Sequence, residues 1–198
     1  MTSIVVVSAG TGTPSSSRLL GERISDAVVV ALAEANTQAE VTHIELRTIA
    51  VELAQHLTTR VPGANLRRAL AAVRAADGLV VVSPVMNGSY SGLFKLFFDA
   101  LEEDALRGHP VLLAASGGTA RHSLMIDQAM LPLFFYLKAL VAPLSVFAAT
   151  KDWGTAGGKL ERRIASAAQA FATLVLSADP IETTDELTVT DFSELLGG

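Results

Sequence analysis

A chain of 198 residues in which 50% are hydrophobic and only 18% charged is long enough to bury one sizeable core and too apolar to be disordered. Its formal net charge of -5 argues against a nucleic-acid partner, because such proteins carry basic patches. The absence of cysteine excludes disulfides and thiolate metal sites and fits a reducing, cytoplasmic location.

Strand and helix patterns alternate along the chain. A β-branched run over residues 3–8 predicts a strand, a Gly/Thr/Ser loop covers residues 9–17, and apolar residues at helical spacing predict a helix over residues 18–36. The further predicted strands cover residues 41–46, 79–83, 110–116 and 142–149, and the further predicted helices cover residues 61–76, 93–101, 123–140 and 158–176. Five such units predict an α/β fold, with a five-stranded parallel sheet and helices on both faces.

Residues 1–177 are predicted to form this single domain, and residues 178–198 an acidic C-terminal extension outside the core. The chain has no lysine or arginine after position 178. We therefore expect the extension to be mobile or to lie across a neighbouring molecule.

One apolar stretch, residues 130–149, is long enough to cross a bilayer. Pro132, Lys138 and Pro143 interrupt it. We interpret it as a buried helix end followed by a strand, and we expect no membrane segment.

The loop after the first predicted strand is rich in hydroxyls and immediately precedes a helix. Its candidate ligand-binding residues are Ser8, Thr11, Thr13, Ser15, Ser16, Ser17 and Arg18. A helix N-terminus with free amides and serine side chains is a ready phosphate site, and an arginine adds a charge-assisted bond. An N-cap followed by a flexible Ser-rich turn would give the same pattern.

This loop matches a dinucleotide-binding fingerprint only in part. Gly10 and Gly12 fit the first two glycines of G-x-G-x-x-G, but Ser15 stands at the third, so we expect looser packing of helix on strand. No Walker lysine follows. A monophosphate site fits this loop better than a pyrophosphate site.

A buried strand, a long polar turn and a helix follow one another over residues 80–95. Pro84 is expected to end the strand, because proline donates no hydrogen bond to a neighbouring strand. The turn tolerates positive φ or leaves amides free, so it can wrap a flat polar ligand. Its candidate ligand-binding residues are Pro84, Val85, Met86, Asn87, Gly88 and Ser89.

A third loop, at the end of the fourth predicted strand, contains Ser116, Gly117, Gly118 and Thr119. The two glycines allow backbone amides to approach the edge of a planar ring. A tight turn capped by a hydroxyl is the alternative. One phosphate loop and two ring-edge loops together indicate a mononucleotide with a flat ring system, for which FMN is the economical candidate.

These motifs resemble those of the flavodoxin-like NAD(P)H-dependent FMN reductases, which supply reduced flavin to partner monooxygenases. The resemblance covers residues 3–176. It is carried by the Ser-rich loop ending in Ser17 and Arg18, by Ser83-Pro-Val-Met-Asn-Gly-Ser-Tyr-Ser-Gly-Leu-Phe-Lys95, and by Ser116-Gly-Gly-Thr119 with His122 and Asp127 beyond it.

The resemblance implies a flavodoxin-like fold, FMN and NADPH or NADH as cofactors, and a flavin-dependent monooxygenase as partner. It also implies that Ser15, Ser16 and Ser17 hold the flavin phosphate, that the turn from Pro84 to Asn87 lines the ring, and that Gly117 to Thr119 meet its pyrimidine edge. Met86 departs from the family, whose members often have an aromatic residue in this turn.

Such a protein needs no catalytic acid or base, because the cofactors carry the hydride chemistry and the protein orients them. Oriented amides of Gly117 and Gly118 would stabilise the negative charge of the reduced flavin. The alternatives are a flavodoxin-type electron carrier without a nicotinamide site, a quinone or azo reductase that retains FMN, and an NAD-dependent dehydrogenase.

Four further features have an ordinary structural interpretation as well as a functional one. Lys95 either contacts a ligand or pairs with a helix carboxylate, and Trp153 either covers a flavin or packs under its own loop. The acidic residues at 99 and 102–104 are interpreted as a solvated helix end rather than a metal site. The helix over residues 126–140 is apolar almost all round, which predicts a homodimer or homotetramer packed through it.

Overall fold

The computed structural model describes residues 1–154 and 158–178, and its backbone alternates between strands and helices. The strands are β1 (Thr2–Ser8), β2 (Ala39–Glu45), β3 (Gly78–Met86), β4 (Ser89–Tyr90), β5 (Pro110–Gly117), β6 (Leu140–Val141) and β7 (Val146–Ala149). The helices are α1 (Ser16–Glu34), α2 (Ala50–Thr59), α3 (Ala64–Ala75), α4 (Gly92–Phe98), α5 (Leu131–Tyr136) and α6 (Lys159–Ser177).

The sheet has five parallel positions, in the order β2-β1-β3-β5 and then β6 with β7. Both β6 and β7 pair with β5, and β4 adds a short antiparallel pair to β3, which gives seven strands in all. The predicted α/β sheet with parallel strands is confirmed. The chain crosses from β2 at one edge to β3 beyond β1, so the strand order reverses between β1 and β3, where open α/β sheets bind ligands.

Helices cover both faces of the sheet, as predicted. Helices α1 and α6 bury one face against side chains such as Val6, Val80 and Phe171. Helices α2 to α5 bury the other, with Phe94 and Phe134 at its centre. Because β1, β3 and β5 are buried on both faces, their sequences are nearly continuous apolar runs.

Close packing of α1 on β1 corrects the expectation drawn from Ser15. A Cβ on Gly21 would lie 2.8 Å from Cγ1 of Val6, so this glycine provides the close approach in place of the third fingerprint glycine.

Helix α2 was not predicted, although Ile49 and Leu53 have helical spacing and are buried. It positions Glu52, whose carboxylate accepts hydrogen bonds from the Leu66 amide at 2.8 Å and from Asn65 Nδ2 at 2.6 Å. These bonds to the first turn of α3 lower the pKa of Glu52. Helix α3 has no N-cap side chain of its own, so the carboxylate of Glu52 on α2 caps it.

The predicted fifth strand, residues 142–149, is wrong in its bounds. Pairing with β5 stops after Val141 and resumes at Val146, and Pro143 lies in the gap. Proline has no amide hydrogen to donate to a neighbouring strand, which accounts for the interruption.

The predicted helix over residues 123–140 is also shorter and less regular. It contains a π-helical turn, Ile126–Met130, before α5. Pro132 cannot donate to a carbonyl four residues back, and the wider turn accommodates its ring. No helix in the described part of the chain is long and apolar enough to span a membrane. The predicted extension lies outside the described residues except for Ala178.

Candidate active site

The three loops singled out in the sequence meet at the carboxyl edge of the sheet. Ser8 is in register with Val82, and Pro84 with Ser116, so the ends of β1, β3 and β5 are adjacent. A buried hydrogen bond of 2.8 Å joins Oγ of Ser17 to Oγ of Ser116 and ties the first loop to the third. The tertiary structure therefore makes one site from three separate motifs.

The first loop opens α1 with a complete N-cap. Ser15 Oγ accepts from the Arg18 amide at 3.2 Å, and the first intrahelical bond runs from the Leu19 amide to Ser15 O. The amides of Ser16 and Ser17 precede that bond and point out of the helix. A Cβ at Gly10 would overlap Ser15 Oγ, so only glycine lets the loop pass this close to the cap.

The hydroxyls of this loop fall into two groups. Thr11, Thr13 and Ser16 are exposed, whereas Ser8 and Ser17 are buried. Ser17 is thus held by Ser116, and the exposed hydroxyls with the free amides form the surface that a phosphate would meet. This donor set fits a phosphate monoester.

Charged residues surround the loop in a network that the sequence interpretation found only in part. Arg18 pairs with Glu22 through Nε at 2.8 Å and with Glu45 through Nη1 at 2.8 Å. Both carboxylates raise the pKa of Arg18, Glu22 most, so the guanidinium stays charged. Arg47 binds the other oxygen of Glu45 at 2.9 Å and also donates to Thr13 Oγ1.

The central turn is a tight β-hairpin. Asn87 (φ 48°) and Gly88 (φ 81°) form its two-residue loop between Met86 and Ser89. An Asn-Gly pair at positive φ is typical of hairpins that follow the right-handed twist of their strands. The tolerance for positive φ predicted at these two positions is confirmed.

Pro84 does not end the strand, contrary to the prediction, since β3 continues to Met86. Val82 is the last β3 residue in register with β1 and accepts from the Ala9 amide at 2.9 Å. The backbone nitrogen of Pro84 points to the same edge of β3 as the backbone of Val82. At this position β1 no longer runs beside β3. The missing amide hydrogen of Pro84 therefore leaves no partner unpaired.

Two serines close the base of the hairpin. The buried Ser83 Oγ accepts from the Ser91 amide at 2.9 Å, and Ser91 Oγ in turn accepts from the Phe94 amide at 3.2 Å as the N-cap of α4. Ser83 and Ser91 thus have structural roles in this motif. They fix the direction in which the hairpin presents Val85 and Met86.

Replacing Ser83 by alanine is expected to lower the free energy of unfolding by about 1–3 kcal/mol, because the buried Ser91 amide loses its acceptor. Urea unfolding followed by circular dichroism measures this change. Ser89→Ala, at a half-buried position of the same hairpin, is the matched control and should stay close to the wild type. An S83A protein as stable as the wild type would show that the tether is not needed.

The third loop combines a tight and an open position. A Cβ at Gly117 would lie 3.0 Å from Phe147 Cζ, whereas a Cβ at Gly118 would meet nothing within 4 Å. Thr119 caps a short 3-10 helix, Ala120–His122, by accepting from the Arg121 amide at 3.4 Å. The loop is therefore a capped turn with open space at Gly118, and its contact with a ring edge stays a prediction.

The remaining singled-out side chains lie around these loops. Lys95 pairs with Asp99 one turn along the helix, which is its structural interpretation. Trp153 packs against the cluster of α1 and α6, and the guanidinium carbon of Arg23 lies 5.2 Å from its ring centre. His122 and Asp127 are exposed.

A cleft of about 540 Å³ adjoins the third loop along the free edge of β7. Its lining includes Ala120 and Ser123, three cations, Lys151, Lys159 and Arg163, and two carboxylates, Asp127 and Asp152. Arg163 is paired with Asp152 at 3.0 Å and also donates to Phe147 O. The cleft thus places positive charge next to the loop that would meet the ring edge.

The site can hold a phosphorylated planar ligand and offers it no strong acid, base or nucleophile. Its donors are hydroxyls and backbone amides, and the described residues hold no cluster of His, Asp or Glu suited to a metal ion. An arrangement of this kind orients a cofactor that carries its own chemistry.

Comparison with known proteins agrees with this geometry. Residues 2–154 match the family model described as NADPH-dependent FMN reductase. The chain is 37% identical over 174 residues to FMN reductase (NADPH) of Pseudomonas aeruginosa, covering 86% of this chain and 91% of that protein. It is 40% identical over 169 residues to NADH-dependent FMN reductase SfnE of Pseudomonas putida, covering 84% and 88%. An oxidoreductase structure from Corynebacterium diphtheriae superimposes with a TM-score of 0.87 at 44% identity, covering 90% of this chain and 99% of that one.

Proposed function

Because this chain belongs to the NADPH-dependent FMN reductase family, we propose that it transfers a hydride from NADPH or NADH to FMN and releases the reduced flavin to a partner flavin-dependent monooxygenase. The observation that carries the site assignment is the meeting of three loops at the switch point of the sheet. When bound, FMN supplies the hydride acceptor. The residues of the chain hold it and orient it.

The first loop holds the phosphate of FMN in this proposal. The exposed hydroxyls of Thr11, Thr13 and Ser16 and the first amides of α1 are its donors, and the positive end of the helix dipole favours the anion. Ser15 and Ser17 contribute through the cap and through the bond to Ser116, which fix the position of the loop.

The other two loops hold the ring. In this proposal the hairpin from Pro84 to Ser89 lies against the ring, and the hydrogen bond from the Ser91 amide to Ser83 holds the base of the hairpin in place. The amides beyond Gly117 stabilise negative charge at the pyrimidine edge, since they are already oriented before reduction. Gly118 keeps that edge free of side chains.

The cleft beside the third loop is where the phosphates of the hydride donor would meet positive charge. Lys151 and Lys159 are exposed there, and the cleft adjoins Ala120 and Ser123. A dinucleotide whose nicotinamide stacks on the flavin can extend into it. Relatives are named for NADPH and for NADH, so either donor fits the proposal.

A homodimer or homotetramer is part of the proposal. Large apolar side chains are exposed along residues 124–144, at Leu124, Phe135, Tyr136, Leu140 and Leu144. Strand β4 packs against the π-helical turn Ile126–Met130, so the hairpin over residues 84–89, where Met86 is exposed, lies close to these side chains. A second copy of the chain that covers the surface would also cover the open side of the hairpin.

A cytoplasmic location is also proposed. A chain without cysteine fits a reducing compartment, and NADPH and NADH are the donors that the family uses.

Anaerobic titration of the protein with NADPH, NADH and FMN tests the proposal. We expect flavin absorbance to bleach with at least one nucleotide and reduced FMN to leave the protein on gel filtration. No bleaching would indicate a flavodoxin-type carrier, turnover of a quinone or azo dye with FMN retained would indicate the other reductase class, and dehydrogenase activity without flavin would overturn the proposal altogether.

A further inference from the structure

Two arginines at the rim of the first loop share one carboxylate. Glu45 binds Arg18 Nη1 through Oε1 at 2.8 Å and Arg47 Nε through Oε2 at 2.9 Å. Arg47 also donates to Thr13 Oγ1, so it lies directly against the loop. Glu45 and Arg47 were not among the residues identified from the sequence.

The backbone holds Glu45 in this position. It is the last residue of β2 and lies in register with Ser8, where the first loop begins. Thr48 Oγ1 donates to the carbonyl of Glu45 at 2.7 Å and fixes the turn that follows. The side chain of Glu45 is 19% exposed, against 50% for Arg18 and 32% for Arg47, so the carboxylate sits on the shielded side of both cations.

The charges around the loop cancel. Two guanidinium groups face two carboxylates, those of Glu45 and of Glu22, and each bond in this network uses a donor that a phosphate could otherwise accept. Arg to carboxylate and Arg to phosphate pairs have the same fork geometry. A phosphate that enters the loop thus meets arginines whose Nε and one Nη already donate to other groups and whose charge is offset by carboxylates.

We propose that Glu45 competes with the flavin phosphate for Arg18 and Arg47 and thereby keeps FMN exchangeable. This inference rests on the proposed function, because a reductase that releases FMN to a partner needs a grip that can open. The competition acts only on flavins that carry a phosphate. Glu45 is therefore a residue that sets both the affinity for FMN and its advantage over riboflavin.

Glu45→Gln tests the inference through the dissociation constants of FMN and riboflavin, measured by quenching of flavin fluorescence. The change releases both arginines at nearly constant shape. We expect the Kd of FMN to fall by about 10-fold or more, since a hydrogen bond to a charged group contributes about 1.5–3 kcal/mol. The Kd of riboflavin should not change, and the rate of FMN dissociation should fall.

The matched control is Glu161→Gln. Glu161 lies outside the first loop, and its carboxylate pairs with Arg23 at a distance of 3.1 Å. The FMN and riboflavin constants of this variant should equal those of the wild type. A weaker FMN complex in E45Q would show that Glu45 positions the arginines for the phosphate, and an equal change for FMN and riboflavin would show a structural effect. Either result overturns the inference.

A measurement on the wild type keeps the inference testable if E45Q does not fold. If the loop carries no net charge, the Kd of FMN should rise little between low and high salt. If both arginines were free, the Kd should rise much more. A steep salt dependence in the wild type contradicts the inference. A protein that does not bind FMN at all would instead contradict the proposed function, so the two failures are distinct.

Discussion

Replacing Ser15, Ser16 and Ser17 together by alanine is expected to weaken FMN binding by at least about 100-fold. The Ser16 hydroxyl, which bonds the charged phosphate in this proposal, contributes about 1.5–3 kcal/mol, and the hydrogen bonds of Ser15 and Ser17 that hold the loop in place contribute about 0.5–1.5 kcal/mol each, which together reach about two decades in Kd. The triple variant loses the N-cap of α1 and the Ser17 to Ser116 bond that joins the first and third loops. Fluorescence titration with FMN measures the effect.

Two controls separate phosphate binding from loop structure. Ser16→Ala removes only an exposed hydroxyl, so it should weaken FMN binding by roughly 10-fold with unchanged thermal unfolding. Riboflavin has no phosphate, and its Kd should change little in S16A. An FMN titration that is unchanged in the triple variant would remove the phosphate site from the first loop and with it the basis of the proposed function.

The double variant Phe135→Asp, Tyr136→Asp is expected to dissociate the protein into monomers of 20.7 kDa. These side chains are 61% and 83% exposed in the single chain, and both lie on the apolar surface proposed to contact a second copy. Burying an aromatic side chain contributes about 1.5–3 kcal/mol to the free energy of association. In a twofold symmetric dimer each residue occurs twice in the interface, so its contribution is doubled. The loss is on the order of 6 kcal/mol or more, which is about four decades in the dimer constant.

Light scattering coupled to gel filtration measures the mass. Val30→Asp places the same charge at an exposed valine of α1, on the opposite face of the sheet from α5, and should leave the mass unchanged. If the wild type is itself a monomer, or if the double variant keeps the wild-type mass, then α5 is not the interface. FMN affinity measured on the same samples would show whether the second copy also completes the flavin site.

The sequence was sufficient for the elements whose signal is local. Strands β1, β3 and β5 were predicted because they are buried on both faces and therefore read as continuous apolar runs. The tolerance for positive φ at Asn87 and Gly88 was predicted from backbone preference alone, since few residue types adopt it, whereas the hairpin itself was not predicted. The family resemblance then linked the loops to FMN, and the comparisons with known proteins confirm that family.

Helix α2 was missed although its helical spacing is local, but the errors at the two prolines arise because their roles depend on distant neighbours. Pro84 was expected to end β3, but its missing amide faces a side that β1 has already left. Pro143 does interrupt the sheet, because its place lies between two segments paired with β5. One proline therefore lies within a strand and the other interrupts strand pairing, and their sequence surroundings do not distinguish the two cases.

By itself the sequence determined the alternation of the main strands and helices, without α2, and the family resemblance carried by three loops, because these signals lie within short stretches of residues. Only the tertiary structure decided that Ser17 bonds Ser116, that Ser83 tethers Ser91, and that Glu45 engages both Arg18 and Arg47. Apart from the Glu45–Arg47 pair, these hydrogen bonds and ion pairs join residues 8 to 99 positions apart. Their geometry exists only once the sheet has formed, since parallel strands bring their carboxyl ends together through connections that the local sequence does not encode.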